Sequence, residues 1–146
     1  MYCVQTISCA VAAMTLAAPA VADTIHVPAG GDIQAALDGA SDGDIIQLAA
    51  GAYFPVAPID PIGKAVTLRG AVEKDGQPTS TIDGQGSTWV LECTSGEGAG
   101  TVFENLLLTR GYSNSGGGMY NLNSSPTLAN CMFEGNSADS LGGGMY

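Results

Sequence analysis

The sequence predicts an all-β protein of the solenoid type, in which short strands wind into stacked coils. Three observations predict it: short apolar runs punctuated by Gly, Asn, Asp and Ser, only one segment with helical periodicity, and a repeat near the end of the sequence. Many short strands without a second helix indicate an all-β fold. The repeat favours coils over a sandwich, because a sandwich has no reason to keep a fixed period.

The first 22 residues are predicted to be a signal peptide, which leaves residues 23–146 as the domain. Residues 9–18 (CAVAAMTLAA) are apolar, and Ala20, Val21 and Ala22 match the small-x-small pattern of a secretory cleavage site. The stretch is too short and too rich in Ala to span a membrane comfortably. No Lys or Arg precedes it, so the natural start is expected a few residues upstream. Asp23 is the expected first mature residue.

The next elements are a strand, a short helix and a second strand segment. Residues 23–28 (DTIHVP) have strand character. Asp32 is a predicted N-cap for a helix that runs to Gly39, with Ile33, Ala36 and Leu37 on one apolar face. The sequence SDGD at 41–44 indicates a turn before residues 45–53 (IIQLAAGAY), which return to strand character. The apolar face of the helix is expected to cover the first coil.

Short apolar runs occupy the rest of the chain. The loop at 73–80 (EKDGQPTS) interrupts the coils, and insertions of this kind cluster on one face of a solenoid, often the binding face. The sequence NSSP at 123–126 is interpreted as a turn between coils. The predicted strands are 65–68 (AVTL), 81–83 (TID), 89–92 (WVLE), 102–108 (VFENLLL) and 127–133 (TLANCMF).

The repeat predicts which residues of neighbouring coils lie above one another. Residues 103–108 align with residues 128–133, apolar on apolar, and Asn105 falls on Asn130. GGGMY occurs at 116–120 and again at 142–146. Stacked coils about 4.8 Å apart would place matched side chains above one another. Asn105 and Asn130 are therefore expected to form a ladder at a bend, where Asn tolerates the left-handed conformation. The Gly triplets are expected at corners without room for a Cβ atom.

Residues 133–146 (FEGNSADSLGGGMY) resemble the FxxN…GGA repeat of chlamydial polymorphic outer membrane proteins, and the wider group of right-handed parallel β-helix proteins with the pectin-lyase-like fold. Phe133 and Asn136 supply the FxxN pattern and join the expected ladder. Residues 32–53 resemble the capping helix and first coil of such proteins, and residues 63–70 (GKAVTLRG) resemble the strand that follows. The resemblance implies a right-handed parallel β-helix (solenoid) with a short N-terminal capping helix.

Two functions remain open, because the proteins that resemble this chain include surface adhesins, autotransporter passengers and polysaccharide lyases. The first is surface recognition or adhesion, with a polysaccharide or cell-surface ligand and no catalysis of its own. The second is a polysaccharide lyase or glycoside hydrolase whose catalytic coils lie beyond Tyr146. Only the lyase would need a cofactor, Ca²⁺. Both imply a protein that is secreted or held at the surface or outer membrane of a bacterium.

Charge excludes one class of partner. The chain has 4 Lys and Arg against 14 Asp and Glu, a net charge of −10. Nucleic-acid binding needs clustered basic residues and is excluded.

No CxxC motif or His/Cys cluster is present, so no metal site is predicted, and no residue is assigned a catalytic role. His26 is expected at the surface. Cys93 and Cys131 either form a bridge or are small buried side chains.

Five residues are candidates for substrate binding: Arg69, Asp83, Arg110, Tyr112 and Tyr120. Arg69 and Arg110 lie in the similar contexts TLRG and LTRG, so they are expected at similar positions in different coils. They either grip an acidic sugar or are outward polar residues at strand ends. The tyrosines lie near Gly-rich corners, where they either stack on sugar rings or are ordinary exposed aromatics.

The final GGGMY is followed by no polar helix and no charged or Pro-bearing edge. Each coil of a solenoid pairs with the coils before and after it, so both ends need a cap. We therefore expect an N-terminal fragment whose last coil pairs with further coils, or self-associates end to end.

Overall fold

The computed structural model describes residues 21–146, which form a parallel β-solenoid of about five turns. Apart from Val21 and Ala22, the predicted signal peptide lies outside the described residues. The elements are β1 (Thr24–Val27), α1 (Ile33–Gly39), β2 (Ile45–Leu48), β3 (Gly51–Tyr53), β4 (Thr67–Arg69), β5 (Ser80–Asp83), β6 (Leu91–Cys93), β7 (Val102–Glu104), β8 (Leu106–Thr109), β9 (Tyr112–Ser115), β10 (Met119–Asn121), β11 (Thr127–Ala129), β12 (Met132–Glu134) and β13 (Ser137–Leu141).

The strands line three sides of the solenoid, and all pairings between them are parallel. Sheet 1 has the order β1-β2-β4-β7-β11, and sheet 2 has the order β12-β8-β5-β3. The third side contains the pair β6-β10, and β9 and β13 form a separate pair. We number the coils from the strand of sheet 1 with which each begins, so that coil 1 begins with β1 and coil 5 with β11.

The core consists of apolar side chains that are stacked from coil to coil by register. Burying one such side chain contributes about 1.5–3 kcal/mol, and stacking repeats that contribution in each coil. The ladder of sheet 1 is Ile25, Ile46, Leu68, Phe103 and Leu128. The ladder of sheet 2 is Tyr53, Ile82, Leu108 and Phe133. The ladder of the third side is Ile59, Leu91, Met119 and Met145.

Helix α1 covers the first coils, as the sequence predicts. The Asp32 carboxylate accepts from the backbone N–H of Ala35 at 3.0 Å, and Ile33 and Leu37 are buried. The Lys64 ammonium donates to the carbonyls of Leu37 and Asp38 at 2.6 and 2.8 Å, which satisfies acceptors that a helix end leaves free. Within residues 21–146 no helix is long and apolar enough to cross a membrane.

Three expected strand segments are each divided into two strands. Residues 102–108 form β7 and β8 because Asn105, with φ 58°, turns the chain between them. Residues 127–133 split in the same way at Asn130, with φ 49°. The segment 45–53 also forms two strands, β2 and β3. Strands β9, β10 and β13 were not predicted, because β9 and β13 are largely polar and all three are defined by pairing with another coil.

The first Gly triplet lies at a corner that has no room for a side chain, whereas in the second triplet a Cβ atom at Gly144 would lie 3.9 Å from its nearest neighbour. A Cβ atom at Gly117 would lie 2.2 Å from the carbonyl oxygen of Ser137. One at Gly118 would lie 2.4 Å from the carbonyl oxygen of Gly144. Real Cβ atoms do not approach so closely, so the repeated GGG reflects close contact between the backbones of coils 4 and 5.

The insertion in coil 3 forms a hairpin and leaves the register of the coils intact. Val72 and Pro78 are antiparallel partners at its centre, and the carbonyl of Gly76 lies at its tip. The Asn130 side chain of coil 5 donates to that carbonyl at 2.9 Å, and also to Oδ1 of Asn105 at 2.9 Å. The hairpin therefore runs along the corner between sheets 1 and 2, from coil 3 to coil 5.

We predict that replacing Asn130 with Gly lowers the free energy of unfolding by about 1–2 kcal/mol, because two hydrogen bonds between coils are lost. Asn123 is the matched control, since it has φ 52° and lies exposed in a turn. Gly adopts positive φ without strain, so both substitutions remove only a side chain. Chemical denaturation measures the difference, and equal losses at the two positions would contradict the role given to Asn130.

Candidate functional site

The two arginines do not form a shared basic patch. Arg69 ends β4 in sheet 1, whereas Arg110 follows β8 in sheet 2. The expectation that they occupy similar positions in different coils is therefore wrong. The register pairs Arg69 with Glu104, and their side chains form an ion pair. The similarity of TLRG and LTRG is local, because the two segments belong to different sides of the solenoid.

Arg110 is also held by a carboxylate, that of Asp83. Its Nε lies 2.9 Å from both carboxylate oxygens, and its Nη2 donates to Oδ2. Burial alone would raise the pKa of Asp83, but the hydrogen bonds from Arg110 and from the Gln85 N–H, together with the Arg110 charge, outweigh it and lower the pKa. The buried carboxylate therefore stays ionised at neutral pH, and its partner guanidinium is engaged.

The two candidate tyrosines lie in different two-stranded sheets, Tyr112 on β9 and Tyr120 on β10, and each contacts neighbouring side chains. The Tyr112 hydroxyl donates to the Asp139 carboxylate at 2.8 Å. The Tyr120 ring lies between Trp89 of coil 3 and Tyr146 of coil 5, with ring centroids 5.7 Å apart in both pairs. The planes of the Tyr120 and Tyr146 rings are nearly parallel, with an angle of 17° between them. Because these rings stack along the solenoid axis, Tyr120 presents its edge to solvent, whereas sugar stacking needs a free face.

The remaining ladder residues lie inside coil 5. Phe133 is the register partner of Leu108, and Asn136 accepts from the Gly111 N–H at 2.7 Å and donates to the Leu108 carbonyl at 2.9 Å. Cys93 and Cys131 are free thiols. In residues 21–146 no group of three or more His, Cys, Asp and Glu is placed to hold a metal ion.

The outer surface of sheet 2 carries an apolar column. Thr81 and Leu107 are register partners, and Leu107 is in turn the partner of Met132. The column begins at Ala52 of β3, the partner of Thr81. Met132 is 43% exposed, although outward positions of a solvated sheet are usually polar. Three coil spacings make the column about 14 Å long. We call these four residues the apolar column.

Sheet 1 provides an internal comparison. Its equivalent outward column is polar over four of its five residues: His26, Gln47, Arg69, Glu104 and Ala129. The two sheets have the same parallel construction and equally short strands, so strand formation does not require an apolar outer surface. This contrast concerns one of the two outward columns of sheet 1. The other column combines Thr with apolar side chains: Thr24, Ile45, Thr67, Val102 and Thr127.

A cleft of about 370 Å³ lies at the coil 2 end of this surface. Its lining includes Phe54, Pro55, Val56 and Pro58 on the loop after β3, together with Gln34 of α1. Phe54 comes two residues after Ala52 and is 54% exposed. Gln34 holds the cleft in shape, because its side chain bonds both backbone groups of Asp60 at 2.9 Å. The cleft has the size of a small-ligand pocket.

The borders of the sheet 2 surface are polar. The hairpin at 71–79 lies along the edge where the strands begin, since Thr79 directly precedes β5. The ion pair of Asp83 and Arg110 lies at the opposite edge, where β5 and β8 end. Two of the five predicted site residues therefore flank this surface, whereas Arg69, Tyr112 and Tyr120 lie elsewhere. An apolar strip with polar borders can bury one face of an extended ligand and hydrogen-bond its edges.

A buried carboxylate that the sequence did not single out joins three successive turns between coils. Glu97 accepts from the N–H of Gly63 at 2.7 Å, from the N–H of Ser95 at 2.9 Å and from the hydroxyl of Ser124 at 2.8 Å. Burial alone would raise the pKa of Glu97, but these hydrogen bonds outweigh it and lower the pKa. Glu97 therefore fixes the loops on the side of the solenoid away from sheet 2.

No protein-family model, curated protein or solved structure matches this chain. The assignment of the fold therefore rests on the strand pairing, and the candidate site rests on the exposed side chains of sheet 2.

We predict that Glu97→Gln lowers the free energy of unfolding at pH 7 by about 2 kcal/mol, because an amide cannot accept from all three donors. The folded pKa lies below the unfolded value of about 4.3, so the carboxylate stabilises the fold fully above that pH. Its contribution disappears as the pH falls through the folded pKa. The difference between variant and wild type should therefore shrink in acid.

Denaturant titrations between pH 3 and pH 7 measure this dependence. Glu92→Gln is the control, because Glu92 faces outward from β6 as the register partner of Tyr120. It should cost less than about 0.5 kcal/mol. A Glu97→Gln deficit that stays constant into acid would contradict the assignment of an ionised Glu97.

Proposed function

We propose that this chain belongs to an exported surface protein that acts in recognition or adhesion, and that it performs no catalysis of its own. The observation that carries the proposal is the apolar column of sheet 2, with a cleft lined by Phe54, two residues after Ala52. Protein surfaces that present contiguous apolar side chains with polar borders are typically interaction sites. The solenoid supplies a rigid, regularly spaced support for such a surface.

The ligand that this surface fits is an uncharged polysaccharide. Sugar rings present aliphatic C–H faces, which pack against Leu107 and Met132, and hydroxyl edges, which reach the polar borders. An acidic sugar would need free cations nearby. Arg69 and Arg110 are paired with carboxylates, and Lys64 donates to the carbonyls that end α1. Lys74, on the hairpin, is exposed but is flanked in sequence by the carboxylates of Glu73 and Asp75. The strongly negative chain would also repel a polyanion.

The relationship of this chain to a particular family of β-helix proteins is also part of the proposal. The FxxN and GGG patterns of residues 133–146 support kinship with pectin-lyase-like, right-handed β-helices that carry repeats like those of the polymorphic outer membrane proteins. We place the protein at the surface or outer membrane of a bacterium, or among its secreted proteins. Strands β11, β12 and β13 each pair with one preceding strand among the described residues, and their other edges are suited to pairing with further coils or with a second copy.

We predict that the protein binds insoluble neutral polysaccharides, such as cellulose or mannan, through sheet 2. Phe54→Ser and Met132→Ser should each raise the dissociation constant about tenfold, because each removes apolar contact area from the ligand. Leu122→Ser is the matched control, since Leu122 is 45% exposed and lies outside sheet 2. Depletion of the protein from solution by the suspended polysaccharide measures binding, with circular dichroism as a check on folding.

Two results would contradict the proposal. Equal loss of binding in Leu122→Ser and Met132→Ser would show that sheet 2 has no specific role in binding. Release of unsaturated products from polygalacturonate or alginate, with or without Ca²⁺, would favour the lyase if Arg110→Ala or Arg69→Ala abolished it.

A further inference from the structure

The first described strand is anchored through a carboxylate at its beginning. Oδ1 of Asp44 accepts from the backbone nitrogen of Asp23 at 2.8 Å, and Oδ2 accepts from the Ser41 N–H at 2.8 Å. Asp44 is 8% exposed, so both interactions are largely shielded from water. The Ile45 N–H in turn donates to the Asp23 carbonyl at 2.8 Å. The Asp23 nitrogen is therefore held at a defined position against a buried acceptor.

The residues that precede this contact are accessible. Val21, Ala22 and Asp23 are all exposed and belong to no strand or helix, and regular pairing begins only at Thr24. Ala22 and Ala20 are the small residues that a leader peptidase selects. The bond between Ala22 and Asp23 therefore lies at the boundary between accessible chain and ordered solenoid.

We propose that Asp44 is the receptor for a new chain terminus, formed when the bond between Ala22 and Asp23 is hydrolysed. Water supplies the hydroxyl group that completes the Ala22 carboxyl and the proton that completes the Asp23 amine. The amine takes one further proton from solvent and becomes an ammonium. The hydrogen bond from the uncharged Asp23 amide to the Asp44 carboxylate is thereby replaced by an ion pair. The inference rests on the export in the proposed function but not on the ligand of sheet 2.

The electrostatic surroundings favour an ammonium at this position. The charged side chains of the adjoining turn are Asp42 and Asp44, and Asp23 carries its own carboxylate. The neighbouring cation, Lys64, is directed to the end of α1. Two hydrogen bonds from backbone N–H groups lower the pKa of Asp44 and keep it ionised. His26 lies at an exposed, outward position of β1.

The ion pair with Asp44 contributes to the stability of the cleaved protein, and the uncleaved chain has no such contribution. An α-amine in an unfolded chain has a pKa of about 7.7–8.0, and a neighbouring carboxylate raises it. The ion pair therefore stabilises the first coil fully below pH 8, and this contribution is lost as the pH rises through the raised pKa. In the uncleaved chain the same nitrogen is an amide and does not titrate.

The test begins with the full chain, expressed in a bacterium that exports it through its own leader. Mass spectrometry of the exported protein should give Asp23 as the first residue. NMR titration of the ¹³C-methylated α-amine should give a pKa about one unit above the usual value. Asp44→Asn should abolish that shift. Asp42→Asn, which alters the neighbouring carboxylate that accepts from Ala65, should retain it.

The unfolding midpoint provides a second measurement if Asp44→Asn folds poorly. The midpoint of the exported wild type should fall between pH 7 and pH 10 more steeply than that of the uncleaved chain recovered from the cytoplasm. A first residue other than Asp23 in the exported protein would overturn the inference while leaving the export and the binding assay of sheet 2 intact. Failure to recover any exported protein would contradict the export. An unshifted α-amine pKa, or midpoints that change in parallel, would overturn the ion pair alone.

Discussion

The structure depends on parallel, in-register pairing between successive coils. A coil cannot satisfy its backbone groups internally, so its N–H and C=O groups pair with the coils before and after it. That pairing fixes which side chains lie above one another. Ile46, Leu68 and Phe103 form one continuous core only because their strands share a register. The Gly triplets, the Asn residues at positive φ and the buried Glu97 all serve to let coils of unequal length return to the same register.

The same constraint explains how a repetitive fold acquires a functional surface. Inward positions are restricted to side chains that fill the core, whereas outward positions are free to vary in columns. One outward column of sheet 1 is polar at four of its five residues, whereas the apolar column of sheet 2 is apolar at three of its four residues. The hairpin of coil 3 adds a polar border without disturbing the strands, since Thr67 still pairs with Val102. In the function that we propose, recognition depends on differences between columns within a uniform scaffold.

The sequence predicted those features that depend on local pattern or on a short period. The helix after Asp32 has a capping residue and an apolar face, and the last two coils repeat at a spacing short enough to align by eye. The sequence did not predict where the strands are split. It also did not predict the role of Glu97, because the donors to Glu97 come from residues as far away as Gly63 and Ser124. The positions of Arg69 and Arg110 were wrongly inferred from similar neighbours. The insertion in coil 3 changes the spacing, so only the register assigns them to different sheets. The apolar column was missed because Thr81, Leu107 and Met132 are far apart in sequence and meet only when the coils stack.

The register of sheet 2 is the central claim, and disulfide formation between paired cysteines tests it most directly. Thr81 and Leu107 are outward register partners, so their Cα atoms should lie about 4.8 Å apart, within the range that a disulfide spans. Thr81 and Thr109 are offset by two residues, which places their Cα atoms about 8 Å apart, beyond that range. Under mild oxidation, the Thr81→Cys, Leu107→Cys protein should form the disulfide, as read by peptide mapping, whereas the Thr81→Cys, Thr109→Cys protein should remain reduced. Efficient bridging of the offset pair, with none in the register pair, would contradict the stacking on which the core, the apolar column and the proposed binding surface rest.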